Sequence, residues 1–363
     1  MVETRPVLGI SIGDPAGIGP EITMKALSRN DFFEGCSIYE QAIPIVYADR
    51  IVLDDALKVT GKDFHLHPVN DPKEALGSPG TIDFIDAGVI TKPGEYSYGI
   101  AAAKSGDAAF QYVLNAIQDA LAGKIAAVVT CPINKEAINM AGHQFPGHTE
   151  IFAHYTNTKN YGMLLSAGSG EGSLHVIHAT THVSMRQACD LITRERVLNV
   201  IHLADRALKL MGRESGRIAV AGLNPHSSEN GLFGDEEKRA IIPAVEEAKA
   251  QGLDVSGPVP PDTVFVKALS GQFDIVVAMY HDQGHIPLKL TGFSMGKNAD
   301  SFFRIRGINT TIGLPVIRTS VDHGTAFGKA GKNRASEESL LDALDMAITF
   351  HKNWDNGAKN ESK

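Results

Sequence analysis

Asp274-Ile-Val-Val-Ala-Met-Tyr280 runs directly into His281, and two other apolar runs lead to a histidine in the same way. Leu174–Thr181 (LHVIHATT) is followed by His182, and Ile218–Asn224 (IAVAGLN) leads to His226. Short apolar runs of this kind read as strands buried on both faces, the condition of a parallel sheet covered by helices. In such sheets the carboxyl ends of the strands open on one crevice, where ligands bind. Three imidazoles arriving there suffice to hold a divalent metal and to leave a position open for substrate. For one histidine alone, a polar residue closing a strand is the plainer reading; three matched positions favour the metal.

The rest of the chain extends this pattern. Val7–Ile12 and Ala126–Thr130 read as strands, while Glu21–Leu27, Ala101–Ala122, Thr193–Met211 and Glu236–Ala250 have helical spacing. Ser336 can cap a last helix whose first turn carries Glu337 and Glu338. The alternation predicts an α/β fold with a largely parallel sheet. Over 363 residues that allows one large domain or two lobes. Hydrophobic residues make up 43% and charged residues 21%, the usage of a soluble globular protein. Lysine and arginine number 34 against 42 acids, a net charge of -8, which argues against a nucleic-acid partner. No apolar run approaches about 18 residues, so no membrane segment is expected. Cys36, Cys131 and Cys189 are odd in number and far apart. A disulfide framework is therefore not expected, and the cytoplasm is the expected location.

Four segments carry candidate chemistry. Gly13-Asp-Pro-Ala-Gly-Ile-Gly-Pro-Glu21 places glycines between a strand and a helix, so it can offer amides to an anion or form a tight structural turn. It is not a GxGxxG Rossmann fingerprint. In Gly142–Glu150 (GHQFPGHTE), His148 and Thr149 can donate to a phosphate or carboxylate, or Thr149 can cap the helical run that follows. His281-Asp-Gln-Gly-His285 has the spacing of one helical face, but Gly284 and Pro287 predict a loop. Lys289 beyond it can grip a negative substrate. Asn309–Lys332 carries Arg318 and then Asp322-His-Gly-Thr-Ala326, a glycine loop able to approach a nucleotide closely.

Through GDPAGIGPE, NKEAIN, GHTE, TTH, GLNPH, MYHDQGH, LK and GLPVIRTSVDHGTA, the chain resembles the 4-hydroxythreonine-4-phosphate dehydrogenase family over nearly its whole length. That resemblance implies an isocitrate/isopropylmalate dehydrogenase-like fold, two lobes around a cleft, which binds a nicotinamide cofactor without a Rossmann motif. A cofactor-side lobe is expected at 1–135 plus 305–363, and a metal, substrate and dimerisation lobe at 136–304. Carried over by position, the resemblance makes His182, His226 and His281 metal ligands shared across a homodimer interface. His148, Thr149, Lys289, Asn309 and Arg318 become substrate contacts, and His323, Gly324, Thr325 and Ala326 face the adenine part of NAD. Asp282 and Lys289 are the catalytic candidates.

All-imidazole ligation favours zinc, with cobalt, nickel, manganese or magnesium as alternatives; NADP is the alternative to NAD. Retention of GHTE implies a phosphorylated substrate. PINKEAIN, GLFGDEE, PPDTVF and HDQGHIPLKL resemble the catabolic branch, which oxidises and decarboxylates 4-phospho-D-threonate or 4-phospho-D-erythronate to dihydroxyacetone phosphate and CO2. The alternatives are the dehydrogenase of pyridoxal phosphate biosynthesis, a cis-dihydrodiol dehydrogenase, a phosphotransacetylase-like acyltransferase and a non-catalytic metabolite-binding protein. Two departures from the family stand out. The segment 291–308, with Lys297, Arg304 and Arg306, is longer than usual, either as a lid or as a surface insertion, and Asn333 replaces the usual glycine after Ala330-Gly331-Lys332.

Overall fold

The computed structural model describes residues 5–32, 35–168, 172–295, 302–305 and 307–355. The strands in chain order are β1 (Val7–Ser11), β2 (Ile43–Ala48), β3 (His65–Pro68), β4 (Thr81–Asp86), β5 (Ala127–Thr130), β6 (Gly162–Ala167) and β7 (Leu174–His178). They continue with β8 (Ile218–Ala221), β9 (Val255–Val259), β10 (Ile275–Ala278), β11 (Phe293–Met295), β12 (Phe302–Ile305), β13 (Ile308–Ile312) and β14 (Ile317–Val321). The α/β fold with a largely parallel sheet is as expected.

The chain forms two compact units. One comprises Met1–Thr158 and Leu314–His351, the other Lys159–Gly313 and the residues from Lys352 on. The sequence had suggested divisions at 135/136 and 304/305. Packing explains the difference at the first: a Cβ at Gly106, in the helix Ala103–Leu121, would run into the carbonyl of Ala137, so the helix Lys135–Met140 lies directly on it. At the second, β13 pairs antiparallel with β6, in register Ile308 with Ser166, and so belongs to the other unit.

In the first unit the strand order is β3-β4-β2-β1-β5-β14, every pair parallel. The chain leaves β1 toward β2 and later returns to β1's other side as β5, which makes the β1/β5 boundary a switch point open to ligands. The glycine loop after β1 lies there, with the Asp14 amide on the Pro132 carbonyl (2.9 Å). The Ala103–Leu121 helix covers this sheet through Ala109, Phe110, Val113, Ala116 and Ile117, a spacing of three and four residues.

In the second unit the order is β13-β6-β7-β10-β8-β9. β7, β10 and β8 are parallel neighbours, and they are the three strands that precede the histidines. The extended segment contributes the antiparallel pair β11–β12 and then β13. Of the cations expected there, Lys297 and Arg306 lie outside the described residues. Residues Glu236–Ala250 are helical as expected, with π-type geometry over Glu237–Ile241 and α-helix over Ile242–Ala250.

His175 on β7 is held between Ser166 Oγ (2.9 Å) and Ser173 Oγ (3.3 Å). Burial first and the Arg213 charge second push its pKa down to about 4, with Asp274 opposing. An unfolded histidine titrates near about 6.5, so below that value the unfolded chain binds a proton that the folded chain refuses. The contribution of neutral His175 is therefore complete above about pH 6.5 and declines on acidification by about 1.4 kcal/mol per unit. Between about pH 7 and 5, His175→Gln should lose about 2 kcal/mol less stability than the parent. Urea unfolding at both values measures this, and parallel losses would contradict it.

Candidate active site

In the second unit, the exits of β7 and β10 are tied together. The Ala179 amide donates to the Ala278 carbonyl (2.8 Å), and Thr180 Oγ1 donates to the Met279 carbonyl (2.8 Å). Four residues beyond β7 and three beyond β10, His182 and His281 face each other with ring centres 5.6 Å apart. They line a cavity of about 290 Å³ with Thr181, Tyr280 and Asp282. Two imidazoles sharing a tetrahedral ion at about 2.1 Å have ring centres about 5–5.5 Å apart, and this pair stands close to that separation. His281 Nδ1 lies 2.7 Å from Asp282 Oδ1, a contact that leaves Nε2 as the atom to meet a metal.

His226 is placed differently. β8 ends at Ala221, and His226 opens a run of left-handed residues through Asn230. Its exposed ring contacts Glu229 Oε1 at 3.1 Å. The turn before it is rigid: buried Glu237 accepts from the amides of Leu223 (2.8 Å) and Asn224 (2.7 Å). Among the described residues of one chain, no group of three His, Cys, Asp or Glu side chains is gathered to hold a metal. Of the expected trio, the chain brings two together.

The stretch predicted as a loop is a helix, His281–Gly292, with Pro287 inside it. Gln283 explains part of this. Buried, it accepts from the Met279 amide (2.6 Å) and donates to the Gly222 carbonyl (2.8 Å), joining the exits of β10 and β8. Gly284 is needed for packing rather than for a turn. A Cβ there would collide with His178 Nε2 and lie 2.7 Å from Val176 Cγ1. His178 is buried at the end of β7, its Nδ1 donating to the Met163 carbonyl (3.2 Å). Burial, followed by the His285 charge, pushes its pKa down to about 3, so it stays neutral. Gly284→Ala should destabilise the protein by about 1–3 kcal/mol despite the better helix propensity of alanine. A thermal midpoint equal to the parent's would contradict this.

In the first unit, His148 and Thr149 begin the helix His148–Tyr155, whose N-cap is Gly147 with no side-chain cap, so Thr149 is not the cap. His148 Nε2 is buried with no hydrogen-bond partner among the described residues. Burial, then the charges of Arg318 and Lys135, hold this imidazole well below its ordinary pKa and therefore neutral. Arg318, on β14, is buried; it donates to Thr130 Oγ1 (2.9 Å) and lies 5.8 Å from the Phe152 ring centre. Burial pushes its pKa down to about 9, opposed by Glu150. A guanidinium, a neutral imidazole and uncapped helix amides suit an anion. Lys289 is half-buried on the His281–Gly292 helix of the second unit, and Asn309 on β13 has a buried Oδ1 without a partner among the described residues.

The loop after β1 is a structural turn. Its amides are taken by the protein itself: Ala16 by Asp14 Oδ1 (2.8 Å), Gly17 by the Asp14 carbonyl (2.9 Å) and Ile18 by the Thr325 carbonyl (3.1 Å). Burial raises the Asp14 pKa to about 6 against the Ala16 and Ser105 hydrogen bonds. The loop thereby supports His323–Ala326 from beneath, while Gly324 and Gly328 face open space, as close approach of a nucleotide requires. Glu21 accepts from the Gly331 amide, holding the segment where Asn333 replaces glycine at φ 54°.

The profile of the family described as "Pyridoxal phosphate biosynthetic protein PdxA" matches residues 40–347. The chain belongs to the PdxA family. Within it, the D-threonate 4-phosphate dehydrogenase of Pectobacterium atrosepticum is 44% identical over 342 residues, covering 94% of this chain and 98% of that one. The 4-hydroxythreonine-4-phosphate dehydrogenase of Desulfosudis oleivorans is 44% identical over 346 residues, 95% and 96% of the two chains. The crystal structure of a 4-hydroxythreonine-4-phosphate dehydrogenase from Klebsiella pneumoniae superposes with a TM-score of 0.80 at 42% identity, covering 97% and 99%.

Sequence reasoning passed over several residues of this PdxA-family site. Lys135 directly follows Asn134, whose side chain caps its helix, inside the quoted NKEAIN stretch. Gln283 and His178 stand inside quoted motifs too, but their inward direction had no signature in the sequence.

Proposed function

We propose that this chain is a metal-dependent, nicotinamide-linked dehydrogenase of a phosphorylated four-carbon hydroxy acid. The proposed substrate is 4-phospho-D-threonate or 4-phospho-D-erythronate, oxidised and decarboxylated to dihydroxyacetone phosphate and CO2. The observation that carries this reading is Arg318, a buried cation beside neutral His148 at an uncapped helix start. Such a group is costly to desolvate, only partly offset by Glu150, and offers an anionic ligand a preformed partner. Full-length likeness to enzymes named for phosphorylated four-carbon acids supports the choice of anion.

When bound, a divalent cation stabilises the charge developing on the substrate oxygen, and NAD accepts the hydride. The chain's own residues do the rest. His148, Thr149 and Arg318 bind the anionic end, so that binding energy distant from the reacting carbon orients it. Lys289 and Asn309 are further substrate contacts. Asp282, hydrogen-bonded to His281, or a water takes up the proton of the oxidised hydroxyl. Lys289 supplies the proton taken up at carbon two once CO2 has left with its bonding pair remaining behind. His323–Ala326 faces the adenine part of the cofactor.

The pair His182 and His281 supplies two imidazoles, and we assign the third to His226 of the partner subunit. A homodimer is supported by exposed apolar side chains on the same unit. Leu290 is 78% exposed on the His281 helix and Leu232 is 71% exposed after His226.

The test is reduction of NAD and NADP, side by side, with zinc or magnesium, on 4-phospho-D-threonate, 4-phospho-D-erythronate and 4-phosphohydroxy-L-threonine. Turnover of the hydroxy acids with release of dihydroxyacetone phosphate is expected. Preference for the amino substrate would move the protein to the second reading, which the Desulfosudis relative's name favours. No reduction of either cofactor would refute both.

A further inference from the structure

Four imidazoles in the second unit form a continuous line: His178, His285, His281 and His182. The outer pair, His182 and His281, belongs to the proposed metal centre. The inner pair is unused by the reaction, yet its geometry is specific. His285 lies flat on His281, ring centres 3.6 Å apart and planes within 12°. Its Nδ1 donates to the His281 carbonyl at 2.9 Å. Behind it stands His178, ring centre 4.8 Å away, itself fixed to the Met163 carbonyl and admitted only because residue 284 is glycine.

His281 needs such a hold. Its ring hydrogen-bonds Asp282, a carboxylate whose side chain is 68% exposed. A hydrogen bond that open to water is too weak by itself to hold one ring orientation. A flat contact over the whole ring face removes the rotation that a single edge bond leaves free, and preorganising a ligand lowers the cost of binding.

We propose that His285 is a positioning residue that aims the His281 imidazole, with His178 as the stop behind it. This rests on the reading of His281 as a metal ligand. A planar group at position 285 is what the arrangement requires, and Gly284 is what makes room for its support.

The experiment compares His285→Phe, which keeps a flat ring, with His285→Leu, which fills similar space without one. Two readouts are taken on the full-length protein: cobalt(II) titration by visible absorbance, and the imidazole nitrogen spectrum of His281 in metal-free, histidine-labelled protein. His285→Leu should weaken cobalt binding about 10-fold or more and turn a single His281 tautomer into a mixture. His285→Phe should restore both. The proposal is overturned if His285→Leu keeps the parent's cobalt affinity and tautomer, or if His285→Phe loses as much as His285→Leu. Should the parent bind no cobalt, the metal reading fails by itself, and the metal-free spectrum alone decides whether His285 aims the ring.

Discussion

Arg318→Met should lower kcat/KM by about 10²–10³-fold while leaving the thermal midpoint unchanged or higher. The two halves of this expectation have one cause. Arg318 is 2% exposed, and burial pulls its pKa down to about 9, a sign that its charge is held at a cost. Methionine has comparable length and no desolvation penalty, and replacing buried charges by apolar groups is often neutral or stabilising. Losing one partner of a buried charge pair with a bound anion, in contrast, costs about 2–5 kcal/mol in the complex. Arg318→Lys should rescue little, because an ammonium cannot reproduce the planar fork that reaches Thr130 and an anion together. Steady-state kinetics beside a melting curve separates the two effects. Unchanged kcat/KM in Arg318→Met would remove the residue from the site. A large fall in stability would instead make Arg318 structural.

The second large effect concerns the histidines. His281→Ala and His226→Ala should each reduce turnover by at least about 10³-fold, since each removes one of the three proposed ligands to an ion that must be held to act. If the sites are completed across a two-fold interface, mixing the two inactive variants should restore activity. In a mixed dimer one site carries both defects and the other carries neither, and half of the dimers at random exchange are mixed. Activity should therefore recover to roughly a quarter of the parent's. His281→Ala mixed with His182→Ala should recover none, because those two rings stand 5.6 Å apart in the same chain. Full activity in His226→Ala, or no recovery in the first mixture, would sink the shared-site arrangement. Both mixtures can be followed by cofactor reduction after co-expression.

The sequence made the strands and their histidine ends legible because a doubly buried strand is a short apolar run, and that property is local. The positions of His182, His226 and His281 after β7, β8 and β10 follow from it. Within the HDQGH stretch the same local reasoning failed. Gly284 and Pro287 weaken a helix, and propensity alone predicted a loop. What overrides propensity is Gln283, which ties two strand exits together, and His178, which occupies the place of a side chain at 284. Gly222 and His178, on the far side of these contacts, lie far away in sequence. The unit boundary near 158 was hidden for a similar reason, since it depends on the close approach of the helices at Gly106 and Ala137.

From its sequence alone the protein was determined to be a largely parallel α/β protein of a recognisable family, with a GHTE stretch as a candidate anion site and histidines at strand ends. Periodicity, strand burial and motif spacing are properties of neighbouring residues, and they survive without coordinates. Only the tertiary structure decided that His182 and His281 meet while His226 turns to the surface, that Arg318 is buried beside His148, and that the glycine loop after β1 uses its amides on the protein itself. Those outcomes depend on which strands become neighbours and on which polar groups lose water when they do, and contacts between distant segments set both.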